Sequence, residues 1–126
     1  MDSRDFDRIV DEAMSIIPAR FRPRLKNVVF VVEAEPPRPG LLGLYEGRPL
    51  TLRSSFEPIA YPDRITIYQG PHERMARSEA ELRRLVEETV WHEVAHYFGL
   101  NEQQVRRAER ARARARAAMR ARRRRL

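Results

Sequence analysis

His92-Glu93-Val94-Ala95-His96 spells H-E-x-x-H. On a helix, side chains four positions apart project from one face a turn apart. Both imidazoles can therefore reach a single ion at about 2.0–2.1 Å with no loop rearrangement. Glu93 stands beside the first histidine and points slightly to one side. From there its carboxylate can hydrogen-bond a water on the ion without ligating the ion itself. A divalent ion lowers the pKa of such a water from about 15.7 to about 7. Glu93 can take the proton as the water attacks a polarised carbonyl and return it to the leaving amine. The chemistry these five residues predict is metal-assisted hydrolysis.

Two histidines do not complete a site, because catalytic zinc wants a third protein ligand and an open position. The chain continues Tyr97-Phe98-Gly99-Leu100-Asn101-Glu102, extending the pattern to H-E-x-x-H-x-x-G-x-x-E. Gly99 can end the helix with a sharp turn, and Glu102 can swing back beneath the ion. The donor set is then His92, His96 and Glu102, for which zinc (Zn2+) is the preferred metal, although other divalent ions accept the same mixture. Glu102 has a second reading, as an acidic first-turn residue favoured by the dipole of the next helix.

Several elements must position these groups. Ser78-Glu79-Ala80-Glu81 is a capping box, and Leu82, Leu85, Val86, Thr89, His92, Glu93 and His96 follow at helical spacing, which predicts a helix over about 79–98. Asn101 to Gln104 can cap a further helix. Phe6, Ile9, Val10, Ala13, Ile16 and Ile17 predict a first amphipathic helix over about 4–17, stopped by Pro18. The run Asn27 to Val32 reads as a buried strand. Leu42 to Tyr45 reads as another, followed by a turn at Glu46 to Pro49 and a short strand around Leu50–Leu52. Arg64-Ile65-Thr66-Ile67-Tyr68 alternates with period two and meets a turn at Gly70-Pro71, which suits an edge strand able to pair with an extended peptide.

The charge is unevenly distributed. The 126 residues carry 25 basic and 18 acidic side chains, but 106–126 hold 11 of the former and one of the latter, for +10, whereas 1–105 hold 14 and 17, for −3. The chain thus divides into a body, 1–105, and a basic Arg/Ala-rich tail, 106–126, helical or disordered. Strict alternation of Arg and Ala scatters charge around a helix, and like charges at i,i+4 repel. The tail is either a solvated extension or a nonspecific contact for nucleic acid or an acidic partner; without interleaved aromatics it can offer only phosphate contacts. The absence of cysteine excludes disulfides, thiolate ligands and thiol nucleophiles. With no membrane span or signal pattern, the expected location is cytoplasmic, with no membrane partner.

The stretch His92 to Glu102, together with Leu42-Gly43-Leu44-Tyr45-Glu46-Gly47 and Ile65-Thr66-Ile67-Tyr68-Gln69-Gly70-Pro71, resembles the small bacterial zincin-like metallopeptidases over nearly all of residues 5–104. The resemblance implies an α+β minimal zincin fold, with a short mixed sheet packed on the active-site helix, and a peptidase acting on a peptide or protein substrate. It implies His92, His96 and Glu102 as metal ligands and Glu93 as the catalytic acid. The metzincins have His at the third position and a Met-containing turn; here that position is Glu102, and the only downstream methionine is Met119.

Other residues are weaker candidates. Tyr45, Tyr61, Tyr68 or His72 could steady a developing oxyanion, or simply pack. Trp91 is expected in the core, and Arg83-Arg84 with Glu87-Glu88 as i,i+4 pairs on a solvated face. Two other functions compete with peptidase action: a metal-dependent RNA-processing hydrolase using the basic tail, and a non-catalytic metal-binding module. Glu93 argues against the first.

Overall fold

The computed structural model describes residues 1–17, 21–47 and 62–125. The strand expected around Leu50–Leu52, and Tyr61, lie outside the described residues. Helix α1 spans Ser3–Ser15 and starts where the Asp2 carboxylate accepts the Arg4 N–H at 2.9 Å. It buries Phe6, Ile9, Val10 and Ala13 of the predicted stripe but ends before Ile16, which is its exposed C-cap, while Ile17 is buried just beyond it. A 3-10 turn at Arg22–Arg24 leads into β1, Val28–Glu33. Strand β2, Gly43–Glu46, and strand β3, Asp63–Tyr68, complete a sheet of order β1-β3-β2, parallel between β1 and β3 and antiparallel between β2 and β3.

Strand β3 is therefore central, and the edge position expected for Arg64–Tyr68 is corrected. Its alternation was misleading: Ile65 and Ile67 enter the hydrophobic core, but Asp63, Thr66 and Tyr68 are buried too, leaving Arg64 alone exposed. Among the described residues β2 is an edge, and it lies against the helix that carries H-E-x-x-H.

Gln69-Gly70-Pro71 does not form a turn but opens helix α2, Gln69–Met75. Proline is tolerated in a first turn because the N–H it lacks has no intrahelical acceptor there. Helix α3, Glu79–Tyr97, begins at Ser78, whose hydroxyl accepts the Glu81 N–H at 3.1 Å, as the capping box predicts. Its buried Leu82, Val86, Val90, Val94 and Tyr97 join α1 and the central strand in one core. Each such side chain contributes roughly 1.5–3 kcal/mol on burial, which favours α3 packed on the sheet.

Helix α4, Glu102–Arg125, crosses position 105 without interruption. It returns along α3, with Val105 buried, Glu109, Arg112 and Arg116 half-buried at spacings of four, three and four, and the other Arg and Ala residues up to position 124 in water. Arg116 meets Glu87 at 3.2 Å and Glu88 at 3.9 Å. The pairing expected within α3 is thereby redirected, since Arg83 bonds Glu79 at 3.2 Å and also Glu12 of α1. Glu N-terminal to Arg is the better i,i+4 orientation. Trp91 is half-buried between α3 and α4 rather than in the main core, with the Arg112 guanidinium 4.6 Å from its ring centroid.

Candidate metal centre

The end of α3 explains how Glu102 returns toward the histidines. Gly99 adopts φ +84°, its N–H bonds the His96 carbonyl at 2.9 Å, and the Leu100 N–H bonds the Ala95 carbonyl at 3.1 Å. This is a Schellman turn, and its left-handed residue favours glycine. Two residues on, Asn101 and Gln104 cap α4 reciprocally: the Gln104 N–H donates to Asn101 Oδ1 and the Asn101 N–H to Gln104 Oε1, both at 2.8 Å. The reversal is fixed at both ends, and it places Glu102 in the first turn of α4 facing the last turns of α3.

The three predicted ligand side chains come together. His92 Nε2 lies 3.2 Å from His96 Nε2; Glu102 Oε1 lies 2.8 Å from His96 Nε2 and 3.5 Å from His92 Nε2. Around a tetrahedral zinc with bonds of about 2.0–2.1 Å, neighbouring donors stand about 3.3 Å apart. Two imidazole nitrogens and a carboxylate oxygen at these separations fit one such ion. Both histidines are half-buried, while Glu102 is exposed, so one side of the donor triangle is open to a ligand from solution. A cavity of about 410 Å³ lies there, lined by all three residues and by Glu93, Leu41 and β2.

Glu93 is only 7% exposed. Burial pushes its carboxyl pKa above the ordinary value, opposed by the nearby His92 and His96 and by a hydrogen bond from the Tyr45 backbone N–H. Strand β2 is thus seated on the carboxylate. A Cβ at Gly43 would come within 2.7 Å of Thr89 Cγ2 and 3.1 Å of Glu93 Cγ, so only glycine permits this approach.

Glu109 adds a contact that no motif in the sequence marks. Its Oε1 lies 2.8 Å from His92 Nδ1, and a carboxylate accepts, so Nδ1 carries the proton and the Nε2 lone pair faces Glu102 and His96. Burial draws the His92 pKa down, but the Glu109 hydrogen bond and the charges of Glu93, Glu102 and Glu109 outweigh it and leave it raised. The signal available in the sequence was the single acid in the basic tail, four residues beyond the apolar Val105.

The weaker candidates go elsewhere. The Tyr45 hydroxyl donates to Asp63 Oδ2 at 2.7 Å. Tyr68 is buried in β3, its phenol pushed up chiefly by that burial. His72 is fully buried: its Nδ1–H donates to the Tyr68 carbonyl at 2.6 Å and its Nε2 pairs with the Thr89 hydroxyl at 2.8 Å. Burial lowers its pKa despite the carbonyl contact, so the ring is neutral and structural, bracing α2 against the turn of α3 that precedes Glu93.

A mixed α+β domain with two helix-borne imidazoles and a carboxylate returned by a glycine turn has the form of a small metal-binding hydrolase domain. A family model described as zincin-like metallopeptidase matches residues 25–112, more than two thirds of the chain, and the chain belongs to that family. Membership implies a metal, usually zinc. No curated protein matches the chain. Among the described residues no helix is long and apolar enough to cross a membrane.

Proposed function

We propose that the protein is a zinc-dependent metallopeptidase in which His92, His96 and Glu102 hold the ion and Glu93 is the general base. The observation that supports this best is the donor triangle of 2.8–3.5 Å with a buried carboxylate beside it. A divalent ion there would act as a Lewis acid, polarising the scissile carbonyl and acidifying water. The protein's own groups do the rest. Glu93, its pKa raised above the ordinary carboxyl value chiefly by burial, is the group placed to accept and return a proton. Its carboxylate takes a proton as the water oxygen bonds to the carbonyl carbon, and delivers it to the amine nitrogen as the C–N bond breaks. The Tyr45 N–H holds the carboxylate in place through both transfers.

Strand β2 supports a peptide as the substrate. Among the described residues it is a sheet edge, and it lines the cavity holding the donor set. An extended chain can add to such an edge through backbone hydrogen bonds, with its carbonyl presented to the ion.

The test is a comparison of the wild type with E93Q, both loaded with zinc, on a mixture of internally quenched peptides. E93Q should retain stoichiometric metal and lose hydrolysis by at least about a hundredfold, the scale of a general base. Hydrolysis at the wild-type rate would contradict the role of Glu93. Loss of metal from E93Q would mean that Glu93 is itself a ligand.

A further inference from the structure

A second cavity, of about 660 Å³, adjoins the one at the donor set and shares Leu41, Gly43, His92 and Glu93 with that cavity. It runs between α3 and α4, with Leu41, Leu42 and Leu85 on its apolar side. Its α4 side carries Arg106, Arg110, Arg112 and Arg116. These arginines are not equivalent. Arg116 is matched by Glu87 and Glu88, and Glu109 is engaged by His92. Among the described residues, Arg106, Arg110 and Arg112 have no carboxylate within ion-pair distance. Arg112 is also half-buried on the Trp91 ring. Burial is the main influence lowering its pKa, with the charge of Arg116 next; the guanidinium has lost water without gaining a close anion.

We propose that Arg106, Arg110 and Arg112 form an acid-recognising wall of the substrate cleft, selecting peptides that carry Asp or Glu near the scissile bond. This rests on the peptidase reading above and names its substrate class. A guanidinium fork pairs with a carboxylate in plane, and a partly desolvated one gains more from doing so than one in water. The leucine side meanwhile accepts the aliphatic parts of the same segment. Nucleic acid fits less well, because among the described residues no Phe, Tyr or Trp ring lines the cavity for a base to stack on.

The test uses the full-length, zinc-loaded protein and two quenched peptide pools, identical except that one contains Asp and Glu where the other contains Ser and Gln. kcat/KM for the acidic pool should be higher by about tenfold, the effect of two or three charge-assisted contacts at a half-exposed site. The advantage should shrink as salt rises. R106E/R110E should abolish or invert it. R120E/R124E makes the same change of charge at exposed positions farther along α4 and should preserve it. Equal rates for the two pools, or an advantage that survives R106E/R110E, would overturn the inference and leave the peptidase reading intact. If neither pool is cleaved, the peptidase reading fails, and binding of the same pools to zinc-loaded E93Q, followed by fluorescence anisotropy, decides the inference. Salt-sensitive binding of the acidic pool, lost on adding R106E/R110E, upholds it. Absence of binding, or tighter binding of an RNA oligonucleotide at the same surface, overturns it.

Discussion

At the scale of single residues, the H-E-x-x-H pattern was legible because helical geometry alone puts His92 and His96 on one face. Glu109 was not, because its 2.8 Å contact with His92 depends on how α4 crosses α3, which no local spacing encodes. Its role gives a prediction. Carboxylates behind metal-binding histidines typically contribute 10–100-fold to affinity. E109A should therefore weaken zinc binding by roughly that factor in a chelator competition, and E109Q, which keeps an acceptor oxygen, by less. Unchanged affinity in E109A would show that the contact does not orient His92. His72 makes a different prediction. Burial depresses its pKa in the folded protein, so the unfolded chain, whose histidine titrates near 6.5, binds the proton first. Its contribution to stability is complete above about pH 6.5 and is lost as pH falls below that value. Denaturant unfolding of the metal-free protein at pH 7.5 and 5.5 should show a smaller loss for H72Q than for the wild type. An equal loss in both would assign the pH dependence to other groups.

The elements were legible where a local rule fixes them. Ser78 and Glu81 mark the start of α3, Gly99 its end and Asn101 with Gln104 the start of α4, all through side-chain or backbone bonds within five residues. Position in the sheet was not legible. Thr66 and Tyr68 read as a polar face of β3, yet both are buried, which the polar and apolar alternation along one strand cannot reveal. Helix α2 was hidden because Gly70-Pro71 is as compatible with a first helical turn as with a reverse turn. The glycine turn between α3 and α4 is the element on which the donor triangle depends. An alanine held at φ +84° costs about 1 kcal/mol, and relaxing that strain moves Glu102. G99A should therefore lose about that much stability in urea and bind zinc more weakly than a surface control such as R120A. Wild-type metal affinity would mean that the turn does not set the position of Glu102.

At the scale of the whole molecule, the basic end of the chain has a structural place beyond its charge. The +10 of residues 106–126 is carried on a helix whose Glu109 supports His92, whose Arg112 covers Trp91 and whose Arg116 pairs with α3. Alternation of Arg and Ala spreads charge over every face, and this concealed the stripe from Val105 to Arg116 that faces the body. The fold thus brings α3 and α4 together around one point, the place where a metal would sit. X-ray absorption spectroscopy of the zinc-loaded full-length protein, compared with E102A, measures this directly. One zinc per chain is expected at about 2.0–2.1 Å from two imidazole nitrogens and from oxygen donors, with water in the open position. E102A should keep both imidazoles and lose the carboxylate. A spectrum with fewer than two imidazoles, a closed shell without water, or one identical in E102A would contradict the assignment.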